Sequence, residues 1–202
     1  MGVMTLVMAG LAANFEMDLK KVIALSTLSQ LGVIIIIIGL GLPTLAFFHL
    51  IMHALFKSTL FICAGFIIHN LYGRQESRLS MGFLNSSPII ISVFCCTNIA
   101  LCGLPFMSGF YSKDLILEKF LSLPFSYLMI FFVFVGTGFT VSYTFRFIYN
   151  ININKNKDSV CVISSDIKYV LIICSLVLFL LSIFSGFFYS WFFFYAREII
   201  TL

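Results

Sequence analysis

Apolar segments long enough to cross a bilayer follow one another along this chain, joined by short polar links. Val22–Leu40 holds five consecutive isoleucines, and Thr44–Leu71, Pro88–Leu121, Phe125–Tyr149 and Lys168–Tyr195 repeat the pattern. A spanning helix needs about 20 predominantly apolar residues. Lipid admits only backbone whose polar groups are satisfied internally, so apolar runs of this length read as helices. The sequence therefore predicts an all-α, polytopic transmembrane helix bundle. Charged residues make up only 10% of the 202 positions, against about 25% in soluble domains, which leaves little room for a soluble domain. Residues 1–202 read as one membrane domain with the lipid bilayer as its surroundings.

Composition closes off several other classes. The net charge of +4 is small and no basic run exceeds Lys20-Lys21, so no nucleic-acid partner is expected. Six cysteines occur without CxxC spacing, and five of them lie in apolar segments, where a thiol packs as a small hydrophobe. No metal site and no iron–sulfur cluster are expected. Met1–Ala13 is apolar but lacks the basic start of a signal peptide, and it is short for a span. It reads as the tail end of a helix.

Threading the segments alternately through a bilayer places Asn14–Lys21, Tyr72–Ser87 and Asn150–Asp166 on one side. With their flanks they carry Lys20, Lys21, Arg74, Arg78, Arg146, Lys155, Lys157 and Lys168, eight basic residues; the other side carries two, Lys119 and Arg197. By the positive-inside rule the three loops face the cytoplasm or the mitochondrial matrix. Asp18 with Lys21, and Glu118 with Lys119, read as boundary charges. Trp191 and its neighbouring tyrosines fit an interfacial aromatic belt.

Two features go beyond a generic bundle. His49, His53 and Lys57 stand four residues apart inside an apolar segment. Each such step on a helix rises about 6 Å and turns about 40°, so the three form a slanting ladder about 12 Å long. A Lys at the centre of a span costs about 2.5–3.5 kcal/mol on insertion scales. Proton movement is one use for such groups; hydrogen bonding between packed helices is the other. His69, about 120° around the helix from Lys57, reads as interfacial.

The second feature is a segment too long for one helix. Pro88–Leu121 covers 34 residues, about 51 Å as a continuous helix, against a hydrocarbon core of about 30 Å. Gly103, Pro105 and Gly109 punctuate its middle, and proline removes a donor and clashes with the preceding turn. A break between Gly103 and Gly109 is predicted, of the kind that builds ion sites in transporters. Lys113 and Asp114 then fall in the first turns of the second half. A Lys113 that snorkels to the headgroups is the alternative. Ser26, Thr27, Ser29 and Gln30 either line water or bond adjacent helices.

The stretch from Asp18 to Gly32, with Ser26-Thr27-Leu28-Ser29-Gln30-Leu31-Gly32 at its end, resembles a signature helix of the antiporter-like membrane subunits of respiratory complex I. The spacing of His49, His53 and Lys57, the pair His69-Asn70, and Gly109-Phe110-Tyr111-Ser112-Lys113-Asp114 strengthen and narrow the match. The resemblance runs along nearly the whole chain and weakens after about Asn150. The family's subunits have about sixteen spans around two inverted five-helix repeats. The present chain is similar to the second repeat plus one further helix. It is read as a fragment, a partial chain or the product of a split gene.

The resemblance implies roles. Lys57 matches the central lysine of the second half-channel, His49 and His53 its relay histidines, and Lys113 the lysine on the broken helix toward the far side. It also implies a proton-translocating subunit of NADH:ubiquinone oxidoreductase in the mitochondrial inner membrane, or a counterpart in a bacterial plasma membrane. NADH, FMN, iron–sulfur clusters and ubiquinone are then expected in other subunits, with no cofactor and no redox catalysis in this chain. Expected partners are other membrane-arm subunits and a chain or segment supplying the first repeat. The alternatives are a subunit of a multisubunit cation/proton antiporter and a structural membrane element without pumping.

Overall fold

The computed structural model describes residues 1–70, 73, 75–76, 87–105, 107–122, 127–152 and 165–191, the side chains at 152, 165–168 and 189–190 excepted. The turn at Leu123-Pro124, the loop residues Arg74, Arg78, Lys155, Lys157 and Cys161, and Arg197 lie outside these residues. Among the described residues seven helices follow in order: α1 Gly2–Phe15, α2 Leu19–Gly39, α3 Pro43–Asn70, α4 Pro88–Cys102, α5 Ser108–Ser122, α6 Tyr127–Asn152 and α7 Ser165–Ser190. The fold is all-α, with no strand among the described residues. Four helices among the described residues, α2, α3, α6 and α7, are long and apolar enough to cross a membrane, while α1 and α4 are shorter apolar helices.

Local chemistry sets the helix ends. Helix α2 begins three residues before its apolar stretch, because a helix continues past hydrocarbon into the interfacial layer. Asp18 stands at its N-cap, and the Leu19 N–H donates to the Gln75 carbonyl at 2.8 Å. Lys21 pairs with Asp18 at 2.8 Å and approaches Glu16 at 3.7 Å, as boundary charges do. Both α3 and α4 open with a proline, Pro43 and Pro88, whose missing N–H costs nothing in a first turn.

Helix α3 is the centre of the bundle and packs against α2, α4, α5 and α7. Phe48, Met52, Phe56, Leu60, Cys63 and Ile67 run along it at helical spacing, all fully buried. Burial extends well beyond that stripe: 61% of its most apolar window is inside, against 17% for α7. His49, His53 and Lys57 on α3 are therefore enclosed by protein. Helix α1 leans on α2 and α6. Arg146 of α6 donates to the Ala13 carbonyl at 3.0 Å and also to that of Glu16. A guanidinium thus answers the open carbonyls at the C-terminal end of α1.

The chain leaves helical geometry between Cys102 and Ser108. Gly103 takes φ 87° and ψ 39°, a left-handed cap that favours glycine, and its N–H donates to the Ala100 carbonyl at 3.1 Å. Pro105 brings no donor to the link. The Met107 N–H reaches the Leu104 carbonyl at 3.2 Å and the Phe110 N–H reaches Met107 at 3.0 Å, after which α5 is under way. The first turn of α5 lies hard against the last turn of α4: a Cβ on Gly109 would sit 2.0 Å from the Ala100 carbonyl oxygen. Gly109→Ala is therefore expected to cost about 1–3 kcal/mol through overpacking and to lower the amount of intact protein in the membrane. Gly138→Ala, whose Cβ meets nothing within 4 Å, serves as the control on the same immunoblot and should match wild type.

Candidate functional site

His49, His53 and Lys57 are all buried on α3, and Lys113 is partly buried on α5. The two imidazoles are stacked at 25° with centroids 6.4 Å apart, and His53 meets the edge of Phe56 at 5.5 Å. From this common row the polar tips reach different helices. His49 Nδ1 lies 3.0 Å from the Ser112 hydroxyl of α5. That nitrogen donates when it carries a proton and accepts when it does not. The Lys57 ammonium donates to Ser26 Oγ on α2. Lys113 donates to the Leu101 carbonyl, one of those released where α4 stops.

No hydrogen bond joins the four groups directly among the described residues. Nor does a carboxylate pair with any of them there, since the ion pairs of Lys21 lie at the boundary. His49 Nε2 and His53 Nε2 are buried and lack a hydrogen-bond partner among the described residues. Such nitrogens are the places where a water molecule would engage. Lys113 also borders an open groove of about 360 Å³, shared with Cys102, Gly103, Asp114, Thr137 and Val141. The groove is lined mainly by α5 and α6.

The remaining predicted residues divide. Ser26, Ser29 and Gln30 are buried on the inner side of α2, whereas Thr27 is half-buried and turns its hydroxyl onto the Ala24 carbonyl at 2.6 Å. Asp114 is exposed at the groove, and His69 is exposed near the end of α3. Gly103, Pro105 and Gly109 fall in or beside the non-helical link. Among the described residues no group of histidine, cysteine and carboxylate side chains is arranged to hold a metal.

The sequence reading missed four members of the site: Ser112, the Leu101 carbonyl, Tyr143, and Thr144, whose hydroxyl contacts the Cys102 thiol. Tyr143 had a signal available. It recurs with Thr140 and Phe147 at helical spacing on the inner face of α6, where a phenol is an unusual choice.

Apolar helices of spanning length, with buried basic groups beside an interrupted helix, mark the chain as an integral membrane protein. The chain belongs to the NADH:quinone oxidoreductase/Mrp antiporter transmembrane family, whose model matches residues 1–140. It is 56% identical over 131 residues to NADH-ubiquinone oxidoreductase chain 5 of Anopheles quadrimaculatus, covering 65% of this chain and 23% of that protein. The same subunit of Aedes aegypti is 56% identical over 131 residues (65% and 22%), and that of Lumbricus terrestris 51% over 128 residues (63% and 22%). The chain thus spans less than a quarter of the length of these relatives. Among solved structures, a chain of the archaeal membrane-bound sulfane sulfur reductase, a respiratory membrane complex, superposes with a TM-score of 0.77 at 23% identity. That match covers 94% of this chain and 39% of the other, and it shows the antiporter-like fold.

Ser112→Ala removes the hydroxyl that lies in hydrogen-bond contact with His49 Nδ1. The loss is expected to cost about 0.5–1.5 kcal/mol, read as a lower midpoint in thermal unfolding of the purified membrane protein. An unchanged midpoint would mean that the imidazole does not depend on this hydroxyl.

Proposed function

We propose that this chain is part of a proton-translocating membrane-arm subunit of a mitochondrial NADH:ubiquinone oxidoreductase. One observation carries the reading: four basic side chains, His49, His53, Lys57 and Lys113, lie in the bundle without a carboxylate partner among the described residues. A structural role would favour neutralising such charges or replacing them with apolar residues. Groups that gain and lose a proton have a reason to stay. The names of the relatives support the choice of complex, and the family supports the membrane location.

In this reading Lys57 holds the central proton. His53 and His49 extend the row along α3, Ser112 links it to α5, and Lys113 stands at the groove beside the broken helix. Water entering the row would bridge the two unpaired Nε2 atoms. Each transfer exchanges one proton between neighbouring basic groups, so the energy must come from outside the row. It would arrive as a movement or a change of charge in adjoining subunits. Nicotinamide, flavin, iron–sulfur and quinone chemistry belongs to those partners, and a first repeat is supplied by another segment or chain. The spans of residues 1–202 act as a single membrane unit corresponding to the second repeat.

The family also includes cation/proton antiporters, and that is the second reading. Lys57→Ala in the assembled complex is expected to lower the protons moved per electron at least twofold while leaving assembly near normal. A wild-type proton yield would overturn the pumping role of Lys57. Sodium-dependent proton exchange without quinone reductase activity would favour the antiporter.

A further inference from the structure

Tyr143 of α6 and Gln30 of α2 take no part in the row described above, yet both are buried in the same region. The phenol of Tyr143 faces Ser26, Ser29 and Gln30. Its hydroxyl and both amide atoms of Gln30 are enclosed and make no hydrogen bond of good geometry among the described residues. Three unpaired polar atoms beside one another, in an otherwise apolar bundle, are expensive unless they exchange partners. Ser26 is their common neighbour, and it is also the group to which Lys57 donates.

We infer that Tyr143 and Gln30 form a hydrogen-bonding switch that sets the position of the Lys57 ammonium through Ser26. The inference rests on the proton-carrying role of Lys57 proposed above. The Ser26 hydroxyl donates to the Ile23 carbonyl at 2.7 Å, leaving its two lone pairs free. With Lys57 charged, the ammonium takes one lone pair and the Tyr143 O–H takes the other. With Lys57 neutral, the amine needs a donor, and Ser26 supplies one by rotating away from Ile23. Tyr143 then turns its O–H to Ser29 or to the Gln30 oxygen. Gln30 carries one acceptor and one donor group, so it complements either arrangement. Only hydrogen bonds change, and no proton passes through the phenol. Tyr143 and Gln30 are positioning residues, acting on Lys57 through Ser26.

The test uses the assembled complex containing the full-length subunit. Tyr143→Phe keeps the ring and removes the hydroxyl; Gln30→Met removes the amide at similar volume. Each is expected to lower the proton yield per electron at least twofold per assembled complex. Tyr143→Phe combined with Ser26→Ala should be no worse than Ser26→Ala alone. In infrared spectra, Lys57→Met should displace a tyrosine C–O band that is missing in Tyr143→Phe, a response that simple packing would not give. A wild-type yield for both single variants overturns the switch, as does a band indifferent to Lys57. So does a loss confined to the amount of complex assembled. If Lys57→Ala also keeps a wild-type yield, the pumping role itself fails; if only Lys57→Ala lowers it, the switch alone fails.

Discussion

The Lys113 ammonium bonded to the Leu101 carbonyl is the contact on which the interrupted helix depends. Where α4 stops, its last carbonyls lose their helical donors, and hydrocarbon offers none in return. Gly103 supplies one donor from its own N–H, and Lys113 supplies another from the following helix. The cation also sits at the negative end of the α4 dipole. One side chain therefore satisfies the broken backbone and places a titratable group at the end of the basic row. The same contact ties the position of Lys113 to the geometry of the break.

Enclosure of α3 is the second condition. A helix at the edge of the bundle would turn His49 and Lys57 toward lipid, where charge is costly. Because α2, α4, α5 and α7 surround it, the polar tips must find partners on neighbouring helices: Ser112 on α5 and Ser26 on α2. Hydroxyls suit this duty, since each donates and accepts and does not fix the charge of its partner. A carboxylate at either position would hold the basic group charged.

The family match and the structural likeness address different levels. The match over residues 1–140 ends within α6, close to where the resemblance read from the sequence weakens, and it includes every member of the basic row. The archaeal neighbour shares the helix plan across almost all of the chain at 23% identity. Bundle geometry thus persists where side chains have largely changed, as expected when helix length and backbone satisfaction constrain the fold more than particular contacts do.

Sequence by itself determined the all-helical membrane architecture, since apolar runs of spanning length have no other solution in lipid. Four-residue spacing likewise put His49, His53 and Lys57 on one side of α3, because helical periodicity is local. What each side chain meets was decided only in three dimensions. Ser26 and Thr27 are adjacent in the chain and both bond back to their own helix, yet Ser26 also accepts from Lys57 on α3. Tyr143 lies 117 residues from Ser26 and faces it across the bundle. Partnership between helices depends on their rotation and register, and those emerge from packing the whole set together.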